Sequence, residues 1–229
     1  MTDISWVRNP DGAQGETINP IIGCSKCSPG CANCYAERMA ARLSTMDGPV
    51  GNRYRQVITD GHWNGKAVFC PEVIDEVLRR KKPTTYFVGS MTDLFHESVQ
   101  IGWMTHILDT IRDSPQHKFI FLTKRPERII PMFYGNHATR PGYTWRYSQP
   151  GTIIPNLGLG VTVCNQSEAD VKIPLLLQTP AAMRFVSIEP MLDYITVDRI
   201  GAKCQWEHMS RSAVKREFPD WFGMKGRSQ

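Results

Sequence analysis

Four cysteines fall within eleven residues of this chain, at Cys24, Cys27, Cys31 and Cys34, and thiolates this crowded are suited to holding a metal. Their spacing is C-x2-C-x3-C-x2-C, and the last three alone form C-x3-C-x2-C. Ser28-Pro29-Gly30, between the pairs, is a turn sequence that folds the loop back on itself. Immediately afterwards Ala36, Met39, Ala40 and Leu43 recur at helical spacing, with Glu37, Arg38 and Arg42 on the other face. The thiolates are therefore expected in a tight loop entering a helix N-terminus, where backbone N–H groups favour negative charge. That housing suits an iron–sulfur cluster, whose sulfurs accept hydrogen bonds, and a cluster on three thiolates keeps one iron open. A single zinc ion ranks second, because zinc modules usually separate their two knuckles by about a dozen residues or more. A ferredoxin-type run normally expects a further partner cysteine elsewhere. Cysteines without metal rank last.

The elements that must position this loop are legible in the alternation of periods downstream. Residues 84–89, 118–123, 157–163 and 183–188 read as buried strands rich in β-branched and aromatic residues, the third loosened by its glycines. Between them lie amphipathic helices. Pro71 opens one with Val73, Ile74, Val77 and Leu78 on a single face. Trp103, Met104, Ile107, Leu108 and Ile111 mark a second, and a short third starts at Pro126 and buries Ile129, Ile130 and Phe133. Ser167 to Leu177 looks helical, with Pro174 expected to break or kink it. Strands alternating with helices imply an α/β fold of parallel strands joined by crossovers. A partial or complete (β/α) barrel is the first choice and an open doubly wound sheet the second. Residues 134–156 carry no periodicity and read as a long loop over the barrel mouth, where Tyr143, Trp145 and Tyr147 pack on their own domain. The chain divides into a barrel unit at 1–198 and a basic tail at 199–229.

Composition bounds the function class. The 229 residues are 41% hydrophobic and 21% charged, which excludes a disordered or fibrous chain. No apolar run approaches the ~18 residues of a membrane span, and Met1 to Trp6 has no secretory pattern. Seven cysteines, four of them clustered, make a poor disulfide framework, so a reducing, cytoplasmic compartment is expected. Cys70, Cys164 and Cys204 read as small buried hydrophobes. The net charge of +5 is compatible with an anionic partner without demanding one.

C-x3-C-x2-C ahead of a βα pattern resembles the radical S-adenosylmethionine (SAM) superfamily. The fuller string G-C-x-K-x-S-P-G-C-x-x-C-Y-A-E is narrower. With Trp6, Asn19-Pro20, Asn64-Gly65-Lys66, Ser90 to His96, Leu122 to Arg128 and Glu189-Pro190, it resembles a phage- and prophage-encoded family of uncharacterised proteins. That family is usually described as radical-SAM-like, with some similarity to spore photoproduct lyase. The resemblance covers residues 1–198 and departs from the family twice. Cys27 stands where the family usually has another residue, so the family pattern selects Cys24, Cys31 and Cys34 while the superfamily spacing selects Cys27, Cys31 and Cys34. The family also continues past Glu189 with a strand and a glycine-rich segment that residues 199–229 lack, which fits a barrel shortened at its C-terminus.

The resemblance implies a [4Fe–4S] cluster, SAM as the second cofactor, an electron donor as partner and no membrane. It places the enzyme in a phage context, in the host cytoplasm, with reaction class and substrate open. Ser90 and Asp93 follow the strand where the superfamily contacts the SAM amino group. Lys124 and Arg125 are candidates for its carboxylate or a substrate phosphate. Thr162 and Asn165 end the third strand, and Glu189 ends the fourth, placed to bind a ribose or polar substrate group. Plainer readings stand beside these. Asp93 can cap a turn, residues 124–128 can be a solvated helix start, and His96 reads as a hydrogen-bonded structural histidine. Arg79 to Lys82 reads as an exposed helix end. DNA or RNA is the expected substrate class, on three basic groups: 79–82, 124–128 and the tail. The rival is a non-catalytic nucleic-acid-binding module whose cysteines hold a structural zinc or iron–sulfur centre.

Overall fold

The computed structural model describes residues 4, 6–134, 153–179 and 181–197. Most of the expected mouth loop, including Tyr143, Trp145 and Tyr147, and the whole basic tail with Cys204 lie outside the described residues.

In chain order, β1 (Glu16–Ile18) and β2 (Ile21–Ile22) precede the cysteine loop. Then come α1 (Tyr35–Ser44), α2 (Gly48–Tyr54) and three two-residue strands, β3 (Ile58–Thr59), β4 (His62–Trp63) and β5 (Val68–Phe69). The alternating part follows with α3 (Pro71–Arg79), β6 (Thr85–Val88), α4 (Ile101–Arg112) and β7 (Lys118–Thr123). It ends with α5 (Ile129–Tyr134), β8 (Leu157–Thr162), α6 (Gln166–Leu177) and β9 (Met183–Ser187).

Five strands form one parallel sheet in the order β1-β6-β7-β8-β9. Strand order follows chain order, whereas a doubly wound sheet reverses at a switch point. The side-chain layers agree. Tyr86, Val88, Phe119, Phe121, Leu157, Leu159 and Val161 share one face of the sheet and one core with α3 to α6. The alternate positions Phe87, Ile120, Leu122 and Phe185 meet Trp6 and Val7 instead. Helices on one face of a sequentially ordered parallel sheet make an α/β fold laid out as a segment of a (β/α) barrel.

Several local expectations change. Pro174 does not break α6, which runs on to Leu177. It sits near the helix end and forfeits only one ladder bond, while Ile173 and Leu176 on either side stay buried. The glycines of β8 do not loosen it. All six of its residues are buried, and Gly160 leaves the space that the Phe185 ring of β9 fills. Leu78, Ile130 and Met39 face outward, and Met132 takes the core position expected of Ile130. Glu37, read as a solvent-facing residue of α1, is buried. Its carboxylate accepts the Trp63 N–H at 3.1 Å and pairs with Lys26 at 3.0 Å. No helix among the described residues is long and apolar enough to cross a membrane.

Candidate active site

The cysteine loop leaves the sheet at Gly23, whose N–H donates to the Met91 carbonyl at 3.1 Å and whose carbonyl accepts the Thr92 hydroxyl at 2.6 Å. Gly23 has φ +99, and a Cβ there would come within 2.2 Å of the Lys66 carbonyl oxygen. Only glycine fits this exit. Cys24 follows it directly. Ser28 then caps the turn Pro29–Cys31 by accepting the Gly30 N–H at 3.2 Å, and Cys34 stands at the N-cap of α1. The turn and the helix start are thus where the spacing placed them.

The four thiols line one cavity of about 140 Å³ at the C-terminal ends of β6, β7 and β8. Ser90, Thr92, Asp93, Lys124, Arg125 and Thr162 contribute its polar wall, with Tyr35, Trp63, Phe87 and Leu122 beside them. All four cysteines are free thiols. Among the described residues, no three His, Cys, Asp or Glu side chains converge as ligands of one ion. A hydrogen bond from the Cys27 thiol to Cys31 pushes Cys27 up and holds Cys31 well below the usual thiol range. Burial pushes Cys24 up to about 11.

A buried ionic network underlies the cavity. Asp93 accepts the Phe95 N–H at 3.0 Å and the Thr123 hydroxyl at 2.7 Å on one oxygen. Its other oxygen accepts the Lys124 N–H at 3.0 Å and an Arg125 N–H at 3.2 Å. Arg125 spends its remaining donors on Glu97 at 3.1 Å, on the Ser25 carbonyl at 3.1 Å and hydroxyl at 2.9 Å, and on Cys24 Sγ at 3.9 Å. His96 is buried. Its Nδ1 accepts the Ser98 N–H at 3.1 Å, so Nε2 carries the proton and donates to Ser25 Oγ at 2.8 Å. Burial lowers its pKa, which keeps the ring neutral.

These contacts redistribute the roles expected from sequence. Ser90, Asp93, Lys124, Arg125 and Thr162 meet at the cavity. Asp93 and Arg125 are saturated by the protein, since a carboxylate offers about four acceptor sites and a guanidinium five donors. They hold the site together and have no bond left for a cofactor. Asn165 caps α6 by accepting the Glu168 N–H at 2.9 Å, and neither it nor the exposed Glu189 lines the cavity. Lys124 is the cavity's cation with no ion pair among the described residues. Sequence reading missed the Ser25–His96 contact, which joins residues 71 apart, and the walls Phe87 and Leu122. Strand alternation carried a signal for those walls, because both occupy positions opposite the helix-facing residues.

The basic groups do not form one surface. Arg79 to Lys82 precede β6, at the end of the strand opposite the cavity, where Arg80 pairs with Glu16 at 2.7 Å and Lys82 with Asp11 at 3.5 Å. In the group at 124–128, Arg125 is committed as above and Arg128 donates to the Phe95 carbonyl at 2.7 Å.

Comparison with curated proteins and with solved structures gives no match. A family model described as "Protein of unknown function (DUF5131)" matches residues 1–211, and the chain belongs to that family.

Proposed function

We propose that the cavity holds a [4Fe–4S] cluster on three of the four loop thiols, with SAM against the open iron, in a radical SAM-type enzyme. The observation that carries this reading is convergence. Four free thiols from the loop after β2 line one cavity with residues from the ends of β6, β7 and β8. The donor set fits: thiolates are the ligands iron–sulfur clusters use, and each grips its own iron, so they need not converge on one ion. The resemblance of the cysteine string to radical-SAM-like proteins of phages and prophages supports the same conclusion. Held by these thiols, the cluster would supply one-electron reduction to a SAM bound beside it.

The chain's own part is to bind and orient. Lys124 supplies a cation for the SAM carboxylate, the Ser90 and Thr162 hydroxyls supply polar partners, and Phe87 and Leu122 supply an apolar wall. An external electron donor completes the system. Nucleic acid is the substrate class we propose, on the likeness to a DNA-repair lyase. Binding of this kind falls steeply with salt.

Anaerobic reconstitution with iron and sulfide should give broad absorbance in the visible that dithionite bleaches, and addition of SAM should then yield 5′-deoxyadenosine. A protein that takes up only stoichiometric zinc would overturn the cluster, and a bleachable cluster without 5′-deoxyadenosine would overturn the enzyme.

A further inference from the structure

We infer that Arg125 is a positioning residue that clamps the base of the cysteine loop, fixing Cys24 against the sheet edge by geometry as well as by charge. Arg125 is 3% exposed, and all five of its N–H donors have partners. Three of those bonds end on the loop, at the Ser25 carbonyl, the Ser25 hydroxyl and Cys24 Sγ. The other two end on Asp93 and Glu97, in the segment after β6. One guanidinium therefore ties the loop after β2 to the ends of β6 and β7. His96 braces the same Ser25 hydroxyl from the far side at 2.8 Å. A lysine has three donors on a single atom and cannot span these partners, so it preserves the charge and loses the clamp.

The clamp also has an electronic consequence, which rests on the proposed cluster. Hydrogen bonds and positive charge near cluster sulfurs raise the reduction potential. Arg125 brings both to Cys24 Sγ.

The first test uses the full chain, freed of metal and reduced, with alkylation of each cysteine followed by mass spectrometry under limiting N-ethylmaleimide. Cys27, exposed on the loop, serves as the internal reference. Arg125→Lys, which keeps the positive charge near both thiols, should speed alkylation of Cys24 relative to Cys27 by about tenfold, the effect of losing one charge-assisted hydrogen bond from local opening. Ser25→Ala, which removes one loop partner without unpairing Asp93, should give a smaller increase and covers the case in which the Arg125 variants do not fold. An unchanged ratio in both Ser25→Ala and folded Arg125→Lys overturns the clamp, and an unchanged ratio in Arg125→Lys alone overturns its geometric part. The second test is a redox titration of the reconstituted chain, in which Arg125→Gln should lower the midpoint potential. An unshifted potential overturns the electronic part. Absence of the chromophore in the unsubstituted chain overturns the cluster reading, and the alkylation result stands apart from it because it needs no metal.

Discussion

The two ends of the parallel sheet solve the same problem with different chemistry. At the N-terminal end of the strands the buried polar groups are neutral and serve the backbone. Asn156 donates to the carbonyls of Ile111, Ser114 and His117 at 2.9, 3.1 and 3.2 Å, and Asn9 accepts the Thr85 N–H at 2.8 Å. His117 accepts the Thr84 N–H at 3.2 Å and donates to the Arg80 carbonyl at 2.9 Å. At the C-terminal end the groups are ionic and link side chains: Arg125 pairs with Asp93 and Glu97 and bonds to the cysteine loop. Neutral amides close off a strand end at low desolvation cost. A buried ion pair brings its own desolvation penalty, and it is retained here where a loop carrying four thiols must be held beside an open cavity. One end secures the fold, and the other secures a site.

The largest expected effect separates a catalytic loop from a structural one. Replacing Cys24, Cys27, Cys31 and Cys34 together by serine should abolish iron uptake and leave a cooperatively unfolding protein, because the sheet core does not draw on the thiols. Loss of folding would mean that a metal stabilises the chain and that the two ends are energetically alike. Next is Asp93→Ala, which strands the buried Arg125 charge and should destabilise by about 3–5 kcal/mol in urea unfolding. Asn156→Ala, at the neutral end, removes the amide shared by three carbonyls, two of which keep a backbone donor, and should cost about 1–3 kcal/mol. If Asn156→Ala proves the more damaging, the contrast between the ends fails.

A pH titration sharpens the comparison further. Burial lowers the His117 pKa below its ordinary value of about 6.5. The folded state therefore binds the proton less well than the unfolded state. The stability this contributes is complete above about pH 6.5 and is lost as pH falls through the lower, folded value. His117→Gln should flatten that part of the stability–pH curve. The smallest stability effect belongs to Lys124→Gln, within about 0.5 kcal/mol of the unsubstituted chain, because the ammonium has no ion pair among the described residues. Its affinity for SAM, by equilibrium dialysis, should nevertheless fall. Unchanged affinity would remove Lys124 from the site.

Residue type and spacing alone determined a good deal. The C-x2-C-x3-C-x2-C string, the turn at Ser28-Pro29-Gly30 and the helix behind it all depend on neighbours in the chain, and the loop adopts them. The strands at β6 to β9 and the helices at α3 and α4 were legible for the same reason, since alternation and helical periodicity are local signals. β1, three residues long, is too short to show a period, yet it carries the loop into the sheet. Tertiary structure decided what each polar residue does. In sequence Asp93 read as a ligand-binding group or a turn cap and Arg125 as a ligand-binding group or part of a solvated helix start, while Ser25 drew no attention; the turn cap is present, in the Phe95 N–H that Asp93 accepts. Pairing Gly23 with Thr92, in the segment after β6, brings Ser25 to Arg125 across 100 positions and saturates all five guanidinium donors. A carboxylate or guanidinium is open to a ligand only when no protein group has taken its hydrogen-bonding capacity, and that depends on contacts far apart in sequence.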